Sequence, residues 1–224
     1  MTSIRETYRL FLVDMDDTLY EERDFVLSGF KAVAAHVAQW GIESDLAWDF
    51  LQARFSAFGR DKIFNRLLEA FAGAAPPERI RELVAVYREH EPHIALYPGV
   101  PDLLLALRSC GKVIVVSDGL ASVQERKFAA LGLDRLVDRA IFCDATGHAK
   151  PDPESLAGVV ERNARTAVMI GDRPDHDLAL AERLGIDSIR VRTGRFRDVP
   201  NEPWKPVADV PEFALLLEPT APGY

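Results

Sequence analysis

The sequence predicts an α/β fold: a parallel sheet with helices on both faces, plus an inserted helical bundle. Three observations predict it. Through the second half of the chain, short apolar runs rich in β-branched residues alternate with stretches of helical spacing, the pattern of strand–helix units. The first greasy run, Tyr8 to Val13, ends in three carboxylates, Asp14, Asp16 and Asp17, as a strand buried on both faces ends at a polar sheet edge. Between that run and the later strands, residues 21–93 read as helix, with no β-branched run.

The elements follow in order. Phe25, Phe30, Val33, Val37 and Trp40 share one helical face, and Gly41 stops that helix. Leu46, Phe50, Ala53 and Ala57 predict a second helix, and Ile63 through Phe71 a third, broken by Gly73 and Pro76-Pro77. Ile80, Val84 and Tyr87 predict a fourth, ending before Pro92. These stripes are core, not ligand surface. Residues 1–20 and 94–224 would form the sheet domain, and 21–93 the inserted bundle, with hinges at Tyr20–Asp24 and His93–Gly99. Beyond the bundle, Asp102 to Ser109 is helical, Val113 to Val116 is a strand ending at Ser117-Asp118-Gly119, and Val123 to Leu131 is a helix stopped by Gly132. Arg139 to Cys143 is a strand, and Lys150-Pro151-Asp152-Pro153 opens a helix. Ala167 to Ile170 is a strand ending at Gly171-Asp172, Asp175 to Leu184 a helix, and Ser188 to Val191 a strand. The tail from Val199 holds six of the 14 prolines and reads as irregular, apart from a short helix near Glu212 to Leu217.

Composition narrows the function classes. The 224 residues, 48% hydrophobic and 28% charged, suit one soluble α/β core with an insert. A net charge of −8 argues against a nucleic acid polymer or an anionic membrane as partner. Cys110 and Cys143 make no disulfide framework and read as buried small side chains in a reducing compartment. Residues 1–9 lack the apolar core of a signal peptide, and no run is long enough to span a bilayer, so the expected location is the cytoplasm. Monomer and homodimer both stay open.

Polar groups recur at the ends of the apolar strands: Asp14 and Asp16, then Ser117, then Asp172, with Lys150 soon after the third strand. In a parallel sheet these ends share one edge, where open α/β folds place their ligands. Crowded carboxylates repel one another and resist desolvation, so a hard cation such as Mg²⁺ is the simplest reason for them. The set suits phosphoryl transfer. One carboxylate can attack phosphorus, and a second, its pKa raised by its neighbour, can protonate the departing oxygen. A serine beside a glycine turn can hold phosphate oxygens, and a lysine can neutralise them.

The ordered set resembles the haloacid dehalogenase-like hydrolases. Asp14-Met15-Asp16-Asp17-Thr18 matches their first motif, Ser117 the second, Lys150 the third, and Gly171-Asp172-Arg173-Pro174-Asp175-His176-Asp177 the fourth. The resemblance covers nearly the whole chain and implies a Rossmann-like core with a C1-type helical cap. It implies Asp14 as nucleophile, Asp16 as general acid and base, and Lys150 as the catalytic cation. It places Mg²⁺ on the Asp14 carboxylate, the Asp16 carbonyl and Asp172, with Asp177 beside them or orienting Lys150. Ser117, Asp118, Gly119 and Thr18 form the substrate-binding set, with Thr18 steadying the first loop. The implied activity is a phosphatase acting on a small phosphorylated metabolite. A phosphomutase, a haloacid dehalogenase and a non-catalytic binding protein are the alternatives, and Asp16 argues against the dehalogenase. One departure stands out: Asp118 occupies the position where the family usually has Asn. That carboxylate either weakens anion binding or is a solvated turn residue.

Further residues near the motifs invite a role. His148 and His176 read as surface residues without zinc spacing. Arg190, Arg192, Arg195 and Arg197 form a basic stripe that reads as a solvated strand edge, with contact to a phosphate-rich substrate as the alternative. Arg54, Phe58, Arg60, Lys62 and Asn65 form a candidate specificity loop in the insert.

Overall fold

The structure is a computed structural model, described for residues 4–162 and 164–217. It divides into two compact units, Met1–Glu22 with Ile94–Tyr224, and Arg23–His93.

The first unit is built on a six-stranded sheet in the order β3-β2-β1-β4-β5-β6, with every neighbouring pair parallel. The strands are β1 (Leu10–Val13), β2 (Lys112–Ser117), β3 (Arg139–Phe142), β4 (Ala167–Gly171), β5 (Asp187–Val191) and β6 (Ala208–Val210). β1 pairs with β2 on one side and β4 on the other, so the strand order reverses there, and open sheets of this kind leave a crevice beyond the carboxyl ends at that point. Both faces of the central strands are buried, which explains their unbroken apolar runs. Leu12, Ile114, Val116 and Met169 pack with Leu180, Ala181 and Leu184 of a helix at Ala179–Leu184, while Phe11, Val13, Val115 and Ile170 alternate onto the opposite face and are equally buried. Further helices at Val100–Arg108 and Ala121–Ala130 follow the sequence reading within a few residues.

Four local differences separate the structure from the sequence reading. β6 arises within the proline-rich tail: Pro206 and Pro211 flank Ala208–Val210, and the strand needs only one partner, so prolines can bound it. Cys143 does not end β3 but opens a short helix, Cys143–Thr146, and it is buried. Cys110 is only partly buried, against the expectation for both cysteines. The helix expected after Lys150 shrinks to a 3-10 turn, Pro153–Leu156, because Asp152 caps only Glu154 and Gly158 adopts φ +72. The reading of the tail also extends over residues 218–224, which lie outside the described residues.

The second unit contains helices at Ser44–Phe58, Ile63–Ala72 and Pro77–Glu89, together with the greater part of a helix at Glu22–Val37. Its core gathers Phe30, Val33, Val37, Leu51, Phe64, Leu67, Leu68 and Leu83 from all four. Gly41, at φ 77, ends the first helix in the left-handed conformation that glycine adopts at little cost. Among the described residues, no helix is long and apolar enough to cross a membrane.

Candidate active site

β1 delivers Asp14 to the crevice, and its amide donates to Ile170 O of β4 at 2.9 Å, which fixes it beside Gly171. Asp172 follows on the next strand, and Gly171 has to be glycine. A Cβ there would stand 2.2 Å from Asp177 Oδ2, so the missing side chain is what lets the Asp177 carboxylate close against the strand end. Asp14, Asp172 and Asp177, all buried, bring one carboxylate oxygen each within 4.8 Å of one another. Asp172 Oδ2 is buried without a hydrogen-bond partner.

Lys150 reaches this cluster from the loop after β3. Its buried Nζ donates to Asp14 Oδ1 at 2.5 Å, Asp177 Oδ1 at 2.7 Å and Val116 O at 3.2 Å, which uses all three protons. Asp177 Oδ2 accepts from the Arg173 amide at 3.0 Å. Burial and the neighbouring Asp177 and Asp16 carboxylates raise Asp14 to about 7, against the pull of Lys150. Burial, then Asp14 and Asp177, raise Asp172 to about 9. Burial would lower Lys150, but Asp14, Asp177 and Asp118 reverse this and hold it well above the usual lysine range. When all three acids are ionised they outweigh the one buried cation, and a divalent cation would hold them in that form.

Asp16, two residues from Asp14, turns elsewhere. Lys127 Nζ donates to its Oδ1 at 2.8 Å and Gln124 Nε2 to its Oδ2 at 2.7 Å, and the Tyr20 hydroxyl adds a third hydrogen bond. Burial pushes Asp16 up, but Lys127, Tyr20 and Gln124 together outweigh it, so the carboxyl lies below its ordinary range. This corrects the expected raised pKa. The neighbouring carboxylate is present, but a buried lysine is closer. Lys127 and Gln124 are the residues sequence reasoning missed. Their i, i+3 spacing on the helix after the second motif puts them on one face, which is the one available signal.

Asp14, Asp16, Ser117, Asp118, Gly119, Lys150 and Asp172 all line one cleft of about 200 Å³, shared with Asp17, Glu22, Arg173, His176, Arg195 and Phe196. Thr18 is fully buried, and its Oγ1 donates to Asp14 Oδ2 at 3.0 Å, so it steadies the carboxylate and is not on the cleft wall. Gln124 also donates to Ser117 Oγ at 2.6 Å. Asp118 is no free turn residue: its Oδ1 accepts from the Lys150 amide at 2.9 Å, and its Oδ2 lies 3.0 Å from His176 Nδ1. Burial would raise it, but His176 and Lys150 hold it below the ordinary range. Its charge is thus spent on anchoring the Lys150 loop, and His176 belongs to the cleft wall, not the outer surface. His148 pairs with Asp152 away from the cleft.

The arginine stripe divides. Arg190 is wholly buried and donates to Phe196 O at 2.7 Å, so it forms no solvated strand edge, while Arg192 pairs with Asp209 at 2.7 Å on the surface. Arg195 enters the cleft. The loop carrying it packs tightly: at Gly194, φ +60, a Cβ would lie 2.1 Å from the Asp17 carboxyl carbon. In the helical unit, Arg60, Lys62 and Asn65 line a separate cavity of about 250 Å³ with Phe30, Phe64 and Tyr87, while Arg54 stacks on Phe58 at 4.3 Å.

Comparison with known proteins places the chain. A glyceraldehyde 3-phosphate phosphatase of Methanopyrus kandleri is 28% identical over 215 residues, covering 91% of each chain. A phosphoserine phosphatase of Thermus thermophilus is 28% identical over 196 residues, covering 84% of this chain and 74% of the relative. Among solved structures, a 2-haloacid dehalogenase from Pseudomonas syringae pv. Tomato superposes with a TM-score of 0.64 at 21% identity, over 93% of this chain and 96% of that one, a likeness of fold. The model of the haloacid dehalogenase-like hydrolases matches residues 8–185, the span that carries Asp14, Ser117, Lys150, Asp172 and Asp177, and the chain belongs to that family.

Proposed function

We propose that the protein is a Mg²⁺-dependent phosphatase that hydrolyses a small phosphorylated metabolite through an aspartyl-phosphate on Asp14. One observation carries the reading: Asp14, Lys150, Asp172 and Asp177 meet at the strand-order reversal, beside a cleft that also holds Asp16 and Ser117. Relatives named as phosphatases of small phosphate esters support the substrate class.

The residues present fit Mg²⁺, since three hard oxygen donors converge and Asp172 Oδ2 lacks any other partner. Asp14 and Asp172 would hold it with the Asp16 carbonyl, and Asp177 would stand beside them. Bound there, the ion supplies positive charge to the attacking carboxylate and the phosphoryl oxygens.

An Asp14 oxygen attacks phosphorus, the bond to the ester oxygen breaks, and Asp16 gives its proton to the departing oxygen. Asp16 then takes a proton from water, whose oxygen attacks phosphorus and frees Asp14 and inorganic phosphate. A bound phosphoryl dianion beside Asp16 raises its proton affinity in the complex, against the pull of Lys127. Lys150 and Thr18 hold Asp14 from two sides, while Ser117 and the Gly119 amide face the phosphoryl oxygens. The departing oxygen needs a proton, which gives Asp16 a task that displacement of halide from carbon would not. We assign the helical unit the role of the family's cap, with specificity drawn from Arg60, Lys62 and Asn65.

The test is phosphate release from a panel of phosphate monoesters. Release with Mg²⁺, its loss in EDTA, and a phosphorylated Asp14 peptide after acid quench are the expected results. Release by Asp14→Asn at the parent rate, or an isomerised sugar phosphate without free phosphate, would overturn the proposal.

A further inference from the structure

Two guanidinium groups share one aromatic ring at the cleft. Arg173, from the loop after β4, lies 4.6 Å from the centroid of Phe196, and Arg195, from the loop after β5, lies 4.7 Å from it. All three side chains line the same cleft as Asp14 and Lys150. The two cations thus lie against one ring in one cleft, each placed to meet an anionic group of a ligand bound there. Neither is paired with an acid of the Asp14 cluster. Arg173 meets Asp175 at 3.1 Å and Arg195 meets Glu22 at 3.7 Å, and each pair has one exposed partner, Asp175 and Arg195, so solvent weakens both contacts. Arg173 Nε is buried with no hydrogen-bond partner. Stacking on Phe196 restricts both guanidinium planes, so less freedom is lost when they bind. The reacting phosphoryl group already has Lys150, Ser117 and the acid cluster around it. The arginine pair has no task there.

We infer that Arg173, Phe196 and Arg195 form a second anion subsite, and that the substrate is a phosphate ester whose far end carries another negative group, a carboxylate or a second phosphate. This rests on the phosphatase reading of the cleft. Arg173 and Arg195 are then specificity residues that touch the substrate away from the reacting phosphorus.

The test compares kcat/KM for matched esters: phosphoglycolate and its three- and four-carbon homologues against alkyl phosphates of equal length, and propane-1,3-diyl bisphosphate against propyl phosphate. At least one anionic member should exceed its neutral match by about tenfold or more, as a charge-assisted contact predicts. The carboxylate and bisphosphate arms identify which anion the subsite takes. Arg173→Gln and Arg195→Gln should each lower that ratio by about tenfold, and added salt should lower it further in the parent. Ratios near one for every pair, or equal losses on anionic and neutral esters in both variants, would overturn the inference. Binding of phosphonoacetate against methylphosphonate reads the same subsite without turnover. Selective binding with no phosphate release from any ester would keep the subsite and sink the phosphatase reading; release without selectivity would do the reverse.

Discussion

The two units treat buried polar groups in opposite ways. In the helical unit, Val33, Val37, Leu51, Leu67, Leu68 and Leu83 form an apolar centre, and among the described residues His90 is the one buried polar side chain. In the sheet unit, Asp14, Asp17, Lys127, Lys150, Asp172, Asp177 and Arg190 are all buried. Most of them sit at the carboxyl ends of β1 and β4 or in the loops that meet there. Burying charge is unfavourable unless it is paired or ligated, so the sheet unit carries a destabilising cluster where the helical unit carries an ordinary core. A fold maintained for stability alone would resemble the helical unit throughout. The difference marks the cluster at the strand ends as the candidate site.

Substitutions on either side of that contrast should therefore differ in kind, and the largest effect belongs to Asp14. Asp14→Asn should reduce phosphate release by about 10⁴-fold or more, the scale of losing a nucleophile, with the far-ultraviolet spectrum unchanged. Residual turnover near the parent rate would dissolve the contrast. Leu67→Ala, in the helical core, should instead cost about 2–5 kcal/mol of stability in denaturant titration, while the rise in Tm on adding Mg²⁺ persists. Loss of that metal response would mean the two units are not separable in this way.

Smaller effects refine the sheet side. Lys127→Met removes the cation nearest Asp16 and should move the pH profile of kcat to higher pH, with KM changing less, because the Asp16 carboxyl is no longer held low. A change confined to KM would point to substrate contact instead. The smallest effect is a pH dependence. Asp14 and Asp172 titrate near 7 and 9 in the folded, metal-free protein, against an ordinary value near 3.8. Between those limits the native state holds more protons than the unfolded chain, so stability is greatest at the acidic end and is lost as pH rises. Protons and Mg²⁺ compete for the same oxygens. The stabilisation by Mg²⁺, read from Tm, should thus be larger at about pH 8 than at about pH 5.5, approaching about 2.7 kcal/mol when Mg²⁺ is a hundredfold above its Kd. An equal gain at both values would show that the ion does not displace protons from this cluster.

Much of this is legible in the amino-acid order, because it depends on local pattern. Period and turn chemistry mark β1 through β5 and the four helices of the insert. The spacing of Asp14, Ser117, Lys150 and Asp172 along strand ends places them on one edge, since parallel strands bring their carboxyl ends together whatever the loops do. The weakest local signal belongs to β6, three residues among prolines, whose strand character comes from pairing with β5. Tertiary contact alone decided the rest. Asp16 and Asp14 are chemically the same and two residues apart, yet Lys127, from a helix, and Lys150, from a loop, set one carboxyl low and leave the other high. Asp118 becomes an anchor because His176 and the Lys150 amide fold against it. Four arginines that look alike in sequence become a core residue, Arg190, a surface pair at Arg192, a cleft residue, Arg195, and Arg197, whose carbonyl accepts from Arg192. Electrostatic environment depends on which groups lie within a few ångströms, and neighbours in space are not neighbours in sequence.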